Sequence, residues 1–103
     1  MSKYGNVRTT VNGHAFASKK EAARYQELLL LEKAGEIEKL ELQPRFPISL
    51  NGQKVCTYVA DFQYRENGHR IVEDVKSEGT RTAIYLLKKR LMKAVLWIEI
   101  LET

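Results

Sequence analysis

The chain has 103 residues, 44% hydrophobic and 29% charged, enough for one globular domain around a single modest core. No apolar run approaches the roughly 20 residues of a bilayer span. Met1 to Asn6 lacks the apolar core of a secretory signal, and the lone Cys56 forbids an intrachain disulfide. A membrane span or a secretory leader is therefore not expected, and a reducing compartment such as the cytoplasm is. One cysteine and two separated histidines offer no structural zinc set. A net charge of +4 permits a polyanionic partner without demanding one.

Along the chain, residues 1–8 read as a flexible basic arm, with Lys3 and Arg8 as candidate contacts to a DNA backbone. Asn12-Gly13 joins Thr9-Thr10-Val11 to His14-Ala15-Phe16 in a small N-terminal hairpin. Ser18-Lys19-Lys20-Glu21 has the form of a capping box and opens a helix, on which Ala22, Tyr25 and Leu28 recur at helical spacing until Gly35. Asn51-Gly52 and Asn67-Gly68 then join three strand-like runs: Phe46–Leu50, Lys54–Tyr58 continuing to Tyr64, and Arg70–Val72. This predicts a three-strand antiparallel meander. A second helix begins near Thr80 or Thr82, with Ile84, Leu87, Leu91, Ala94 and Val95 as its buried stripe. Its opposite face carries Arg81, Tyr85, Lys88 and Lys89, residue types that contact phosphate, sugar and base. The last strand, Trp97–Leu101, follows a strand–helix–strand crossover and is expected parallel to the one ending at Asp74. Phe62 and Trp97 read as core, His14 and His69 as surface residues beside turns.

Two carboxylates stand out, Asp61 in Tyr58-Val59-Ala60-Asp61-Phe62 and Asp74 in Asp74-Val75-Lys76. Charged residues are poor strand formers because the pleated surface desolvates them. Strand alternation puts Asp74 and Lys76 on one face and Glu73 and Val75 on the other, and the tight turn makes Asp61 a neighbour of Asp74. Such a pair can hold Mg²⁺ or Mn²⁺, with Lys76 beside it to serve an attacking water. An ion pair on a solvated sheet face is the plainer account, worth only about 0–1 kcal/mol.

Four segments in order carry a resemblance: Phe16-Ala17-Ser18-Lys19-Lys20-Glu21-Ala22, Leu42-Gln43-Pro44-Arg45-Phe46, Tyr58–Phe62 and Val72–Lys76. Together they resemble the PD-(D/E)xK nuclease superfamily, most closely a group of small phage and prophage proteins (DUF1064). They are also similar to the catalytic domain of TnsA-type endonucleases. Ala60 stands where the superfamily's name has proline, which weakens the motif more than the chemistry. The resemblance implies one α/β domain over residues 1–103 with a restriction-endonuclease-like core, a helix, three-strand meander, helix and strand forming a mixed central sheet flanked by helices. It implies a Mg²⁺-dependent DNA endonuclease with catalytic Glu21, Asp61, Asp74 and Lys76. Asp61, Asp74 and Glu21 would be its metal ligands, and Gln43, Glu73 and Lys88 would lie next to the site. Glu21 has a competing role as the far end of its capping box, although it lies on the stripe with Tyr25 and Leu28.

At this size little surface remains for sequence readout. That favours structure-selective cutting, such as branched DNA or a Holliday junction in phage recombination, by a homodimer or with a recruiting phage replication or recombination protein. The alternative is a DNA-binding or assembly module that keeps the nuclease fold without turnover. No residue excludes RNA.

Overall fold

Three Asn-Gly turns set the strand pairing. In the computed structural model, which describes residues 8–103, each Asn has φ of 51° or 52° and each following Gly 78° or 80°. Both positive angles are what a type I′ hairpin requires. The turns join β1 (Thr9–Val11) to β2 (His14–Phe16), β4 (Arg45–Leu50) to β5 (Gln53–Val59), and β6 (Phe62–Glu66) to β7 (His69–Asp74). β8 (Ile100–Glu102) lies parallel to β7, as the crossover predicts.

Helix α1 (Lys19–Lys33) starts at Ser18, whose hydroxyl accepts the Glu21 N–H at 3.1 Å. Its Ala22, Tyr25 and Leu28 pack with Phe16, Ile37, Phe62 and Tyr64 on one face of the central sheet. Helix α2 (Ala83–Leu96) covers the other face, where Tyr85 and Met92 meet Val72, Ile98, Ile100 and the β4–β5 ribbon. The architecture is α/β, a mixed sheet between two helices with a small N-terminal hairpin. No helix among the described residues is long and apolar enough to cross a membrane.

The centre of the chain is not a simple three-strand meander. Five strands lie between the helices, because Glu38–Leu42 forms β3 and the expected strand through Tyr58 and Tyr64 breaks at Ala60–Asp61. The sheet order is β3-β6-β7-β8, with β4–β5 as a separate ribbon. The corner has a local cause. Gln43 turns left-handed (φ 51°), and Pro44 has no N–H for a ladder. Gln43 N–H donates to the Asp61 carbonyl at 3.0 Å and Ala60 N–H to the Pro44 carbonyl at 3.1 Å, so the two broken strands stay tied across the bend.

α2 keeps part of the expected stripe, with Leu91 and Val95 packed partly buried against the core, but its other expected positions are turned outward by one residue. Ile84 and Leu87 are 67% and 56% exposed and Ala94 is exposed, whereas Tyr85 and Met92 are buried. Positions 85, 88, 92 and 95 repeat with the same spacing as 84, 87, 91 and 94, so periodicity alone could not choose between them. The lysine at 88 disguised the buried stripe: its stem is half-buried and its ammonium reaches the Thr57 carbonyl at 3.2 Å. Trp97 is also not core. It caps α2 in the left-handed conformation (φ 61°) and is 89% exposed, leaving Ile98 to enter the core.

Candidate active site

Asp61 and Asp74 meet at the end of the β6–β7 ladder. The last paired residues are Phe62 and Glu73, so the next step puts Asp61 opposite Asp74. There the side chains replace the ladder. Asp61 N–H donates to Asp74 Oδ1 at 2.9 Å, and Asp61 Oδ2 accepts the Val75 N–H at 2.8 Å. β8 fixes the other edge, since Thr103 N–H donates to the Asp74 carbonyl at 2.9 Å and Lys76 N–H to the Thr103 carbonyl at 3.0 Å. Alternation then sends Asp74 to the α2 side and Glu73 to the α1 side, where Glu73 bonds Arg24.

Glu21, in the first turn of α1, completes the group. It is 7% exposed, and its carboxyl lies close enough to Asp61 to feel that carboxylate's charge. Burial, then the Asp61 charge, push the Glu21 carboxyl up to about 7. Burial also raises Asp61. Asp74, 2% exposed, is pushed up to about 6, first by burial and further by Glu102, while Lys76 pulls it back. Three carboxyls thus lie near one another, each raised first by burial.

An open cleft of about 340 Å³ reaches this cluster. Glu21, Asp61 and Lys76 line it, along with Lys19, Lys20, Ser77 and Thr80; Asp74 does not line it. The Lys20 ammonium bonds the Lys76 carbonyl, bracing α1 against the end of β7. Among the described residues no group of three His, Cys, Asp or Glu side chains is arranged to hold a metal ion by itself. The all-oxygen donors Asp61, Asp74 and Glu21 nonetheless suit Mg²⁺, which commonly takes only one or two carboxylates and keeps its remaining waters or substrate oxygens.

A protein-family model matches residues 1–100. The chain belongs to that family, Protein of unknown function (DUF1064). No curated protein and no solved structure was found to match it. The DUF1064 description names no activity.

Gln43, Glu73, Lys88, Tyr85, Arg81 and Lys89 do not line the cleft, although Gln43 and Glu73 adjoin the Asp61–Asp74 pair as expected. Glu73 is fully buried among structural partners. Gln43 is exposed at the strand corner and touches Asp61 through its backbone N–H. Lys88 points to Thr57 instead of the cleft. Tyr85, expected on an outward DNA-contacting face, is buried, and its hydroxyl donates to Glu102 at 2.8 Å. Arg81 and Lys89 converge on that same carboxylate at 3.2 and 2.9 Å. Arg8 is exposed, and Lys3 lies outside the described residues.

Glu102 was missed, though a signal existed. Parallel pairing of Val72 with Ile100 places Glu102 beside Asp74 two residues on. Lys19, Lys20, Ser77 and Thr80 gave no comparable signal, because only the fold brings α1 and the turn after β7 to one cleft.

Proposed function

We propose that this protein is a metal-dependent DNA endonuclease of the PD-(D/E)xK type, its α/β sheet being a restriction-endonuclease-like core. One observation carries the reading: Glu21, Asp61 and Asp74 crowd beside Lys76 at a single strand end, with raised carboxyl pKa values and an open cleft alongside. Burying these carboxyls costs the fold energy, and an external cation would lower that cost by stabilising their charged forms.

Asp61 and Asp74 are the residues to hold Mg²⁺ or Mn²⁺, with Glu21 assisting. Held by these residues, such an ion would supply Lewis-acid chemistry, activating a water and neutralising charge on a scissile phosphate. Lys76 donates hydrogen bonds to the attacking water or to the phosphate oxygens, where negative charge grows. Glu21, its carboxyl pushed up to about 7 by burial, would accept the proton of the attacking water at neutral pH and release it to solvent in the open cleft. Lys19 and Lys20, on the basic side of the cleft, meet the flanking backbone phosphates. The substrate is structured DNA, and a homodimer or a recruiting recombination partner supplies the selectivity that one small domain lacks. Arg8 and Lys3 add contacts to the DNA backbone.

The test is cleavage of branched, single-stranded and duplex DNA, and of RNA, with Mg²⁺ or Mn²⁺. Wild type is expected to cut a DNA substrate only with metal, and Asp74→Ala and Lys76→Ala to be inactive. Metal-independent cutting, or equal rates in the variants, would sink the reading. Binding with no cleavage of any substrate would favour an assembly module instead.

A further inference from the structure

The Lys76 ammonium lies 4.0 Å from the centre of the Tyr85 ring. That is well inside the range in which a ring face attracts a cation. Tyr85 comes from α2, and both its burial and its hydroxyl fix its orientation. The ring packs near Tyr58 with centroids 6.4 Å apart, and the hydroxyl donates to Glu102 Oε2 at 2.8 Å. Glu102 is itself held by Lys89 at 2.9 Å and Arg81 at 3.2 Å, and it is registered beside Asp74 on the parallel strand. A continuous series of contacts therefore runs from the basic face of α2 through Glu102 and Tyr85 to the Lys76 ammonium.

The kind of partner matters. A carboxylate holding Lys76 would neutralise its charge and occupy its N–H donors. An aromatic face localises the ammonium while leaving the charge uncompensated and the donors free. A hydroxyl donating to a carboxylate also makes its ring more electron-rich, which strengthens the attraction. We propose that Tyr85 is a positioning residue that aims Lys76 at the Glu21–Asp61–Asp74 cluster, with Glu102 fixing the ring. This rests on the nuclease reading.

Tyr85→Phe keeps the ring and loses only the hydroxyl, whereas Tyr85→Leu removes the face. In cleavage assays Tyr85→Leu is expected to lower kcat by about 10- to 100-fold with KM little changed. Tyr85→Phe should restore most of that loss. Met92→Ala opens the same core without touching Lys76 and serves as the control for loosened packing. NMR supplies a readout independent of turnover: the Lys76 ε-methylene protons should be shifted upfield by the ring in wild type and in Tyr85→Phe, and return to ordinary values in Tyr85→Leu. Equal kcat in the Phe and Leu variants, an equal fall in Met92→Ala, or a Lys76 shift unmoved in an active Tyr85→Leu enzyme would each overturn the inference. A wild type that cuts nothing while showing the ring shift overturns the nuclease reading instead, and with it any catalytic purpose for the contact.

Discussion

Glu73 and Asp74 are chain neighbours, 0% and 2% exposed, yet the two faces of β7 treat their carboxylates in opposite ways. Glu73 receives two Arg24 N–H donors at 2.8 and 3.0 Å, the Tyr64 hydroxyl at 2.7 Å and the Thr103 hydroxyl at 3.1 Å. Those partners respond in kind: the Glu73 carboxylate raises the Arg24 pKa, and burial and then Glu73 raise that of the Tyr64 hydroxyl. Asp74 accepts one backbone N–H and sits near other carboxyls that repel it. Burial of a charge is tolerated where the fold supplies the opposite charge. On the Glu73 face it does, and on the Asp74 face Lys76 alone falls short. The contrast separates a structural carboxylate from one left available for chemistry.

The largest expected effect breaks the contrast at Asp74. Asp74→Asn keeps an oxygen for the Asp61 N–H and removes the charge. Cleavage is expected to fall by on the order of 10³-fold, the scale of losing a main electrostatic contributor to the transition state. The melting temperature at pH 8 should stay level or rise, because the lost charge was an unfavourable one. A fall in stability comparable to the fall in activity would return Asp74 to the structural class.

The next effect breaks the other face. Arg24→Met strands the Glu73 carboxylate in the core, which costs about 3 kcal/mol. Thermal unfolding should shift down by roughly 15 °C for a domain of this size. Because Arg24 lies one turn beyond Glu21 on α1, its bond to Glu73 also sets how α1 meets β7. A Tm change under a few degrees would mean that Glu73 finds another partner, and the comparison would lose its clean side.

How much of this was legible in the sequence depended on the range of the interaction. The hairpins were legible because Asn-Gly encodes its own dihedral angles, and Asp74 was separable from Glu73 because strand alternation is strictly local. β3 was hidden because Glu38, Lys39 and Glu41 mask its Leu40 and Leu42, although charge suits an edge strand. The phase of α2 was not legible, since two stripes of equal spacing differ by one residue and Lys88 disguised the buried one. The Arg24–Glu73 bond joins residues 49 apart, and nothing local at either position announces it. Glu102 needed only the parallel register to be extended two residues.

A smaller effect comes from pH. The Glu21 pKa rises from 4.5 to about 7 and that of Asp74 from 3.8 to about 6. Between the ordinary and raised values the folded chain holds protons that the unfolded chain has released, so stability falls as pH rises through that window. Without divalent metal, stability should be highest below about pH 3.8 as far as these two groups decide it. Mg²⁺ competes with those protons, so its stabilisation should be larger at pH 8 than at pH 5 in thermal melts. A metal shift that is equal at both pH values, or lost in Arg24→Met but kept in Asp74→Asn, would place the ion away from this cluster.

The smallest effect concerns the basic face of α2, which sequence alone offers as a DNA surface. Arg81 and Lys89 already face the Glu102 carboxylate, and Lys89, Tyr85 and Arg81 hold its pKa down. The Arg81 side chain is 47% exposed, so its pair with Glu102 is screened by water and contributes only about 0–1 kcal/mol. Arg81→Ala should therefore barely move the melting temperature. Its effect on DNA affinity should also be modest, because a guanidinium shared with Glu102 releases less than one counterion on meeting a phosphate. Each fully engaged phosphate contact steepens the salt dependence by about 0.9 in log–log slope, so Arg81→Ala should change that slope by less than this. Lys20→Ala, on the cleft rim, should change it more. The reverse ranking would move the path of the DNA backbone from the cleft to α2, away from Asp74, and separate the substrate from the carboxylates that β7 leaves unpaired.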